Sequence, residues 1–113
     1  GAGISPDTPA NLLSGGERQG LAIGRAMYFR AQVVILDEPT TALAVSETEK
    51  VLDFMRQVKD EGRSVVVITL SIEHAWRAAD RFVLMSHGRI FGEWRKAELT
   101  QEELLAKLME AER

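Results

Sequence analysis

Two short stretches of this chain combine residue types that can do chemistry. The first is "LLSGGERQG", Leu12 to Gly20, where Ser14 and Glu17 stand at the S-x-x-E spacing of a helix capping box. Gly15 and Gly16 fill its first turn. Glycine inside a helix costs up to about 1 kcal/mol relative to alanine, so a pair needs a reason. A helix N-terminus offers unpaired N–H groups and partial positive charge, which suit an anion such as phosphate. Glycines remove the side chains that would hold the phosphate away, and Ser14 either caps the helix or donates its hydroxyl to an oxygen of the anion. The same residues also suit a plain capped helix with a tight leading turn.

The second stretch is "VVILDE", Val33 to Glu38, an apolar run closed by two adjacent carboxylates. In open parallel sheets ligands lie beyond the carboxyl ends of the strands, which is where such a run delivers its acids. Consecutive strand residues point in opposite directions, so Asp37 and Glu38 have separate jobs. One suits a magnesium ion, directly or through water, and the other suits orienting or deprotonating a water molecule. An acidic pair at a strand end also serves as a simple turn or helix cap.

The elements that must position these residues follow an α/β rhythm. A helix is predicted from about Ser14 to Arg30, with Leu21, Ala22, Ala26 and Phe29 on its buried face. Val33–Asp37 reads as a strand buried on both faces, as in parallel sheets covered by helices. Ser46 and Glu49 form a second capping box, opening a helix whose apolar positions are Val51, Leu52, Met55 and Val58. Gly62 is placed to stop it. "SVVVITL", Ser64 to Leu70, is a second apolar strand, followed by a helix from Ser71 with Ala75, Trp76 and Ala79 inward. "RFVLM" and "RIFGEW" flank "SHG", predicting a hairpin that turns near His87-Gly88. A third capping box, Thr100 with Glu103, starts a last helix with Leu104, Leu105, Leu108 and Met109 on its apolar face. The expected fold class is α/β, with parallel strands flanked by helices plus a C-terminal hairpin and helix.

Composition narrows the function classes. The chain has 113 residues, 45% hydrophobic and 27% charged, which is ordinary for one globular domain or part of one. No aliphatic run is long enough to span a bilayer, so any membrane link is expected through a partner. A net charge of -3 with scattered Arg and Lys argues against a nucleic-acid surface. The lack of cysteine excludes disulfides and thiolate metal sites.

In order and spacing, "LSGGERQ", then "VVILDEPT", then the strand "VVVIT" ending at Thr69, resemble the ATP-binding-cassette (ABC) ATPase family. The three look like its signature motif, its Walker B strand and the strand leading into its switch loop. The resemblance runs from about Asn11 to the C-terminus, and "EPTTALAVSETE" with "ELTQEELLAKLM" is closest in texture to the ATPases of sugar importers. It implies a partial P-loop NTPase-like fold. It further implies that Ser14, Gly15 and Gly16, with Gln19 assisting, contact the γ-phosphate of an ATP held mainly by a second subunit. Asp37 would serve Mg2+ through water, and Glu38 would polarise the attacking water as general base.

Three departures from the family pattern stand out. A P-loop needs G-x-x-x-x-G-K-[ST], and the four lysines, Lys50, Lys59, Lys96 and Lys107, are followed by Val, Asp, Ala and Leu. The chain therefore reads as the C-terminal portion of a nucleotide-binding domain, residues 1–113 forming one partial domain cut just before the signature. Leu70 stands where the family has its switch histidine and cannot hydrogen-bond a phosphate. His74 lies one helical turn further on and reads as a partly solvated helix position, and His87 as a turn residue. Ala44 replaces an aspartate that the family often carries after Walker B.

The resemblance implies the ATP-binding subunit of a transporter, inactive as an ATPase in this form alone, using ATP and Mg2+ only when a Walker A-containing half completes the site. Its expected partners are a second copy or an intact ABC ATPase subunit, and a membrane permease, at the cytoplasmic face of the membrane. Unpaired strand edges favour oligomerisation. The alternative is a non-catalytic, truncated or degenerate cassette that acts as a dimerisation or interaction module.

Overall fold

A computed structural model describes residues 31–113, together with Arg18 and Arg25, both exposed and helical. The predicted signature residues Ser14, Gly15, Gly16 and Gln19, and the rest of the first predicted helix, lie outside the described residues. The chain divides into two compact units, one running to Ile68 and the other from Thr69 to Arg113.

Among the described residues, the first unit holds a β-α-β element. Strand β1, Val33–Asp37, pairs in parallel with β2, Ser64–Ile68, in a register that sets Val33 opposite Ser64 and Asp37 opposite Ile68. Helix α1, Val45–Asp60, connects them. Val51, Leu52, Met55 and Val58 recur at helical spacing and are all buried, with Leu52 fully so, and Val34 and Leu36 of β1 are buried as well. Each such aliphatic side chain contributes about 1.5–3 kcal/mol when removed from water, so this short apolar seam holds α1 to the strands.

β1 corrects the expectation of a strand buried on both faces. Its burial alternates, with Val33 and Ile35 exposed, the latter at 66%, between buried Val34 and Leu36. Val66 and Ile68 of β2 are also exposed, on the face that carries Ile35. A continuous apolar run has two faces to bury, and α1 covers one.

The start of α1 is a second correction. The helix is capped by Ala44 in an extended conformation (φ -65°, ψ 159°), with no side-chain cap hydrogen bond, and Thr48 N–H donates to Ala44 O at 2.9 Å. Ser46 therefore lies inside the first turn, and the Ser46–Glu49 box does not form the cap. The turn that follows β1 delivers the chain to the helix two residues early. The other end is as expected: Gly62 (φ 84°) donates to Lys59 O and Arg63 donates to Val58 O, the paired bonds of a Schellman motif.

In the second unit, α2 (Ile72–Ala78) is capped by Ser71, whose Oγ accepts from His74 N–H at 3.2 Å. It is one residue short of the expected Ala79, which caps its C-terminus, and none of its residues is fully buried. β3 (Arg81–Ser86) and β4 (Arg89–Arg95) form an antiparallel hairpin through His87 and Gly88, both at positive φ (51° and 74°), as a type I′ turn requires. Phe91 is the extra residue of a bulge, since Leu84 faces Gly92 while Met85 faces Ile90. Two residues on, the Trp94 indole folds over Gly92, where a Cβ would enter the ring.

Trp76 of α2 stacks on Phe82 of β3 with centroids 5.3 Å apart and planes within 2°. Lys96 Nζ donates to Trp76 O at 2.6 Å and lies 5.1 Å from the Trp76 ring centroid. After a 3-10 turn at Lys96–Glu98, helix α3 (Gln101–Ala111) begins with the expected box. Thr100 Oγ1 accepts from Glu103 N–H at 3.1 Å, and Glu103 Oε1 accepts from Thr100 N–H at 3.0 Å. The apolar face of α3 is narrower than predicted: Leu104 and Ala111 are buried, but Leu105 and Met109 are 47% and 56% exposed.

Candidate functional site

The parallel register places Asp37 at the carboxyl end of β1, opposite Ile68. Pairing does not stop there. Glu38 N–H donates to Ile68 O at 2.7 Å, one bond beyond the ladder, while Glu38 itself turns into the left-handed region (φ 50°). For a residue with a Cβ that conformation costs about 1–2 kcal/mol. The cost is offset by hydrogen bonds on both sides of the residue, because Glu38 O also accepts from Thr41 N–H at 3.3 Å. Pro39, with its fixed φ, stands at the second position of the turn so closed.

The result separates the two carboxylates, as the sequence suggests. Asp37 keeps strand geometry, whereas Glu38 leaves it, and both are exposed at the sheet's carboxyl end. Thr41 Oγ1 donates to Glu38 Oε2 at 3.1 Å. Sequence reasoning missed Thr41. The readable signal was the E-x-x-T spacing in "EPTT", which is the span of one β-turn.

Asp37 offers a single exposed carboxylate, and among the described residues no group of three His, Asp or Glu side chains is arranged to hold a metal ion. A single carboxylate can hold a magnesium ion only together with waters or phosphate oxygens, because that cation keeps most of its waters. Ala44 serves as the cap of α1. In the second unit, Leu70 precedes the Ser71 cap and is 73% exposed. His74 is half-buried with its backbone N–H on Ser71 Oγ. His87 sits in the hairpin turn with Nδ1 3.1 Å from Ser86 Oγ, and Ser86 Oγ also donates to Ala111 O.

A parallel β-α-β element with an acidic pair at the carboxyl end of its first strand fits many α/β proteins, and the closer class is visible in solved structures. The dimeric ATP-binding cassette MJ0796, in a post-hydrolysis state bound to ADP and Pi, matches with a TM-score of 0.66 and 31% identity over 76% of this chain and 37% of that one. Residues 2–41 match the model of the family described as ABC transporter. The xylose/arabinose import ATP-binding protein XylG of Sulfolobus acidocaldarius is 42% identical over 92 residues, 81% of this chain and 37% of that protein. The ribose import ATP-binding protein RbsA 1 of Burkholderia cenocepacia is 34% identical over 109 residues, 96% of this chain and 21% of that protein. The fold is that of an ATP-binding cassette. The chain belongs to the ABC transporter ATPase family, and it spans well under half the length of the relatives it matches.

Proposed function

We propose that this chain is the C-terminal portion, as one partial domain, of the ATP-binding subunit of an ABC importer for a carbohydrate. The observation that carries the reading is the geometry after β1. Asp37 remains on the strand, and Glu38 is turned off it and anchored through its own N–H to Ile68 O. In this reading Glu38 polarises the attacking water as general base, and Asp37 holds Mg2+ through water. Magnesium, when bound with the nucleotide, neutralises phosphate charge. Phosphoryl transfer needs mainly positioning and charge neutralisation, which these two groups supply in part.

Ser14, Gly15, Gly16 and Gln19 supply another part, to the γ-phosphate of an ATP held by a second subunit. The dimeric state of the matched cassette supports this shared arrangement. Carbohydrate as the cargo rests on the named sugar-import relatives. The permease partner and a peripheral position at the cytoplasmic face rest on the same likeness. No described helix is long and apolar enough to cross a membrane.

One observation favours a second reading, a non-catalytic cassette that docks on an intact ATPase. Leu70, at the position of the switch histidine, is aliphatic and 73% exposed. Titrating the chain with Mg-ATP, alone and with a P-loop-containing cassette, separates the two. Nucleotide binding and phosphate release are expected only with the partner, and Gly16→Asp should abolish them. Release by the chain alone overturns the incomplete-site reading, and partner binding that ignores nucleotide supports the docking module.

A further inference from the structure

We propose that Thr41 is a positioning residue for the Glu38 carboxylate, holding one oxygen through its hydroxyl so that the other faces the water to be activated. The proposal rests on the general-base reading of Glu38 given above. Thr41 meets Glu38 twice. Its N–H donates to Glu38 O at 3.3 Å, closing the turn, and its Oγ1 donates to Glu38 Oε2 at 3.1 Å. The first contact sets where the second can form, because a four-residue turn brings its first and last Cα atoms within about 7 Å.

The turn is well determined. Glu38, at φ 50°, is bonded on both sides, to Ile68 O and from Thr41 N–H, Pro39 has one φ, and Ala42 follows in the left-handed region at φ 60°. Leu43 N–H closes a further turn on Thr40 O at 3.4 Å. Of the two adjacent threonines, Thr40 is buried and Thr41 is exposed at the site. An exposed glutamate has three rotatable bonds and samples many rotamers, and a hydroxyl carried on a fixed turn removes much of that freedom. At 3.1 Å the bond is longer than the usual 2.7–2.8 Å for O–H···O, and its direction is set by a hydroxyl carried on the turn. Oε2 is engaged by the hydroxyl, which leaves Oε1 to accept a proton from water.

Two readouts test this. In the chain itself, the 13Cδ resonance of Glu38 at fixed neutral pH should move in Thr41→Val and return in Thr41→Ser, with circular dichroism unchanged. With a P-loop-containing cassette present, Thr41→Val should lower kcat for phosphate release about tenfold at unchanged KM, the scale of a lost hydrogen bond to a charged group, and Thr41→Ser should restore it. A Glu38 resonance indifferent to Thr41→Val overturns the contact. A kcat unaffected by Thr41→Val while Glu38→Gln abolishes release overturns the positioning role. If Glu38→Gln leaves release intact, the general-base reading itself fails, and the resonance comparison still decides whether Thr41 grips the carboxylate.

Discussion

Glu38 N–H donates to Ile68 O at 2.7 Å, although the strand partner of Ile68 is Asp37. The parallel ladder is thus carried one residue past the strand, into a residue with φ 50°. This single bond lets two consecutive acids part company. Strand alternation by itself would place them on opposite faces of one sheet, whereas the left-handed turn lifts the second off the sheet altogether. The turn chemistry of Glu38-Pro39-Thr40-Thr41 is therefore inseparable from the site that it carries.

Leu52→Ala is expected to destabilise the first unit by about 2–5 kcal/mol, since Leu52 has no exposed surface and its loss leaves a cavity in the core. Leu70→Ala, at a position 73% exposed, should change stability by less than about 0.5 kcal/mol. Urea unfolding followed by far-ultraviolet circular dichroism measures both.

The capping candidates Thr100 and Ser46 should behave differently. Thr100→Ala breaks a formed box and is expected to cost about 1 kcal/mol. Ser46→Ala touches a helix already capped by Ala44 and should fall within about 0.5 kcal/mol of the parent. Equal losses at the two sites would show that α1 starts at Ser46 in solution.

Gly92→Ala drives a methyl group into the Trp94 ring and is expected to cost about 1–3 kcal/mol through overpacking. The indole must swing away from β4, so a red shift of tryptophan emission should accompany the loss. An unchanged spectrum with unchanged stability would contradict the packing of Trp94 on Gly92.

Leu70→His should leave folding intact, because the side chain is largely in water. If the aliphatic residue is what limits a completed site, phosphate release with a P-loop-containing cassette should rise by about 10²-fold or more, the usual reach of a positioned acid–base or polar group. No increase, with nucleotide binding retained, would support the docking module over the catalytic reading.

The order of elements, the Schellman stop at Gly62, the turn at His87-Gly88 and the Thr100–Glu103 box were all legible in the sequence. Each depends on residues within one helical turn or one hairpin, where spacing alone dictates which backbone groups meet. The family was legible for the same reason, because its motifs are short and lie in fixed order. Tertiary structure decided what spacing cannot. It chose which face of β1 is covered, leaving Ile35 and Val66 exposed, and it left Leu105 and Met109 outside the packed face of α3. It began α1 at Val45 with Ala44 as its cap, leaving Ser46 inside the first turn. And it brought Thr41 to the Glu38 carboxylate through a left-handed residue whose N–H is bonded to Ile68, thirty residues further along. Burial and strain at these positions are set by contacts between segments distant in sequence, and local pattern carries no information about them.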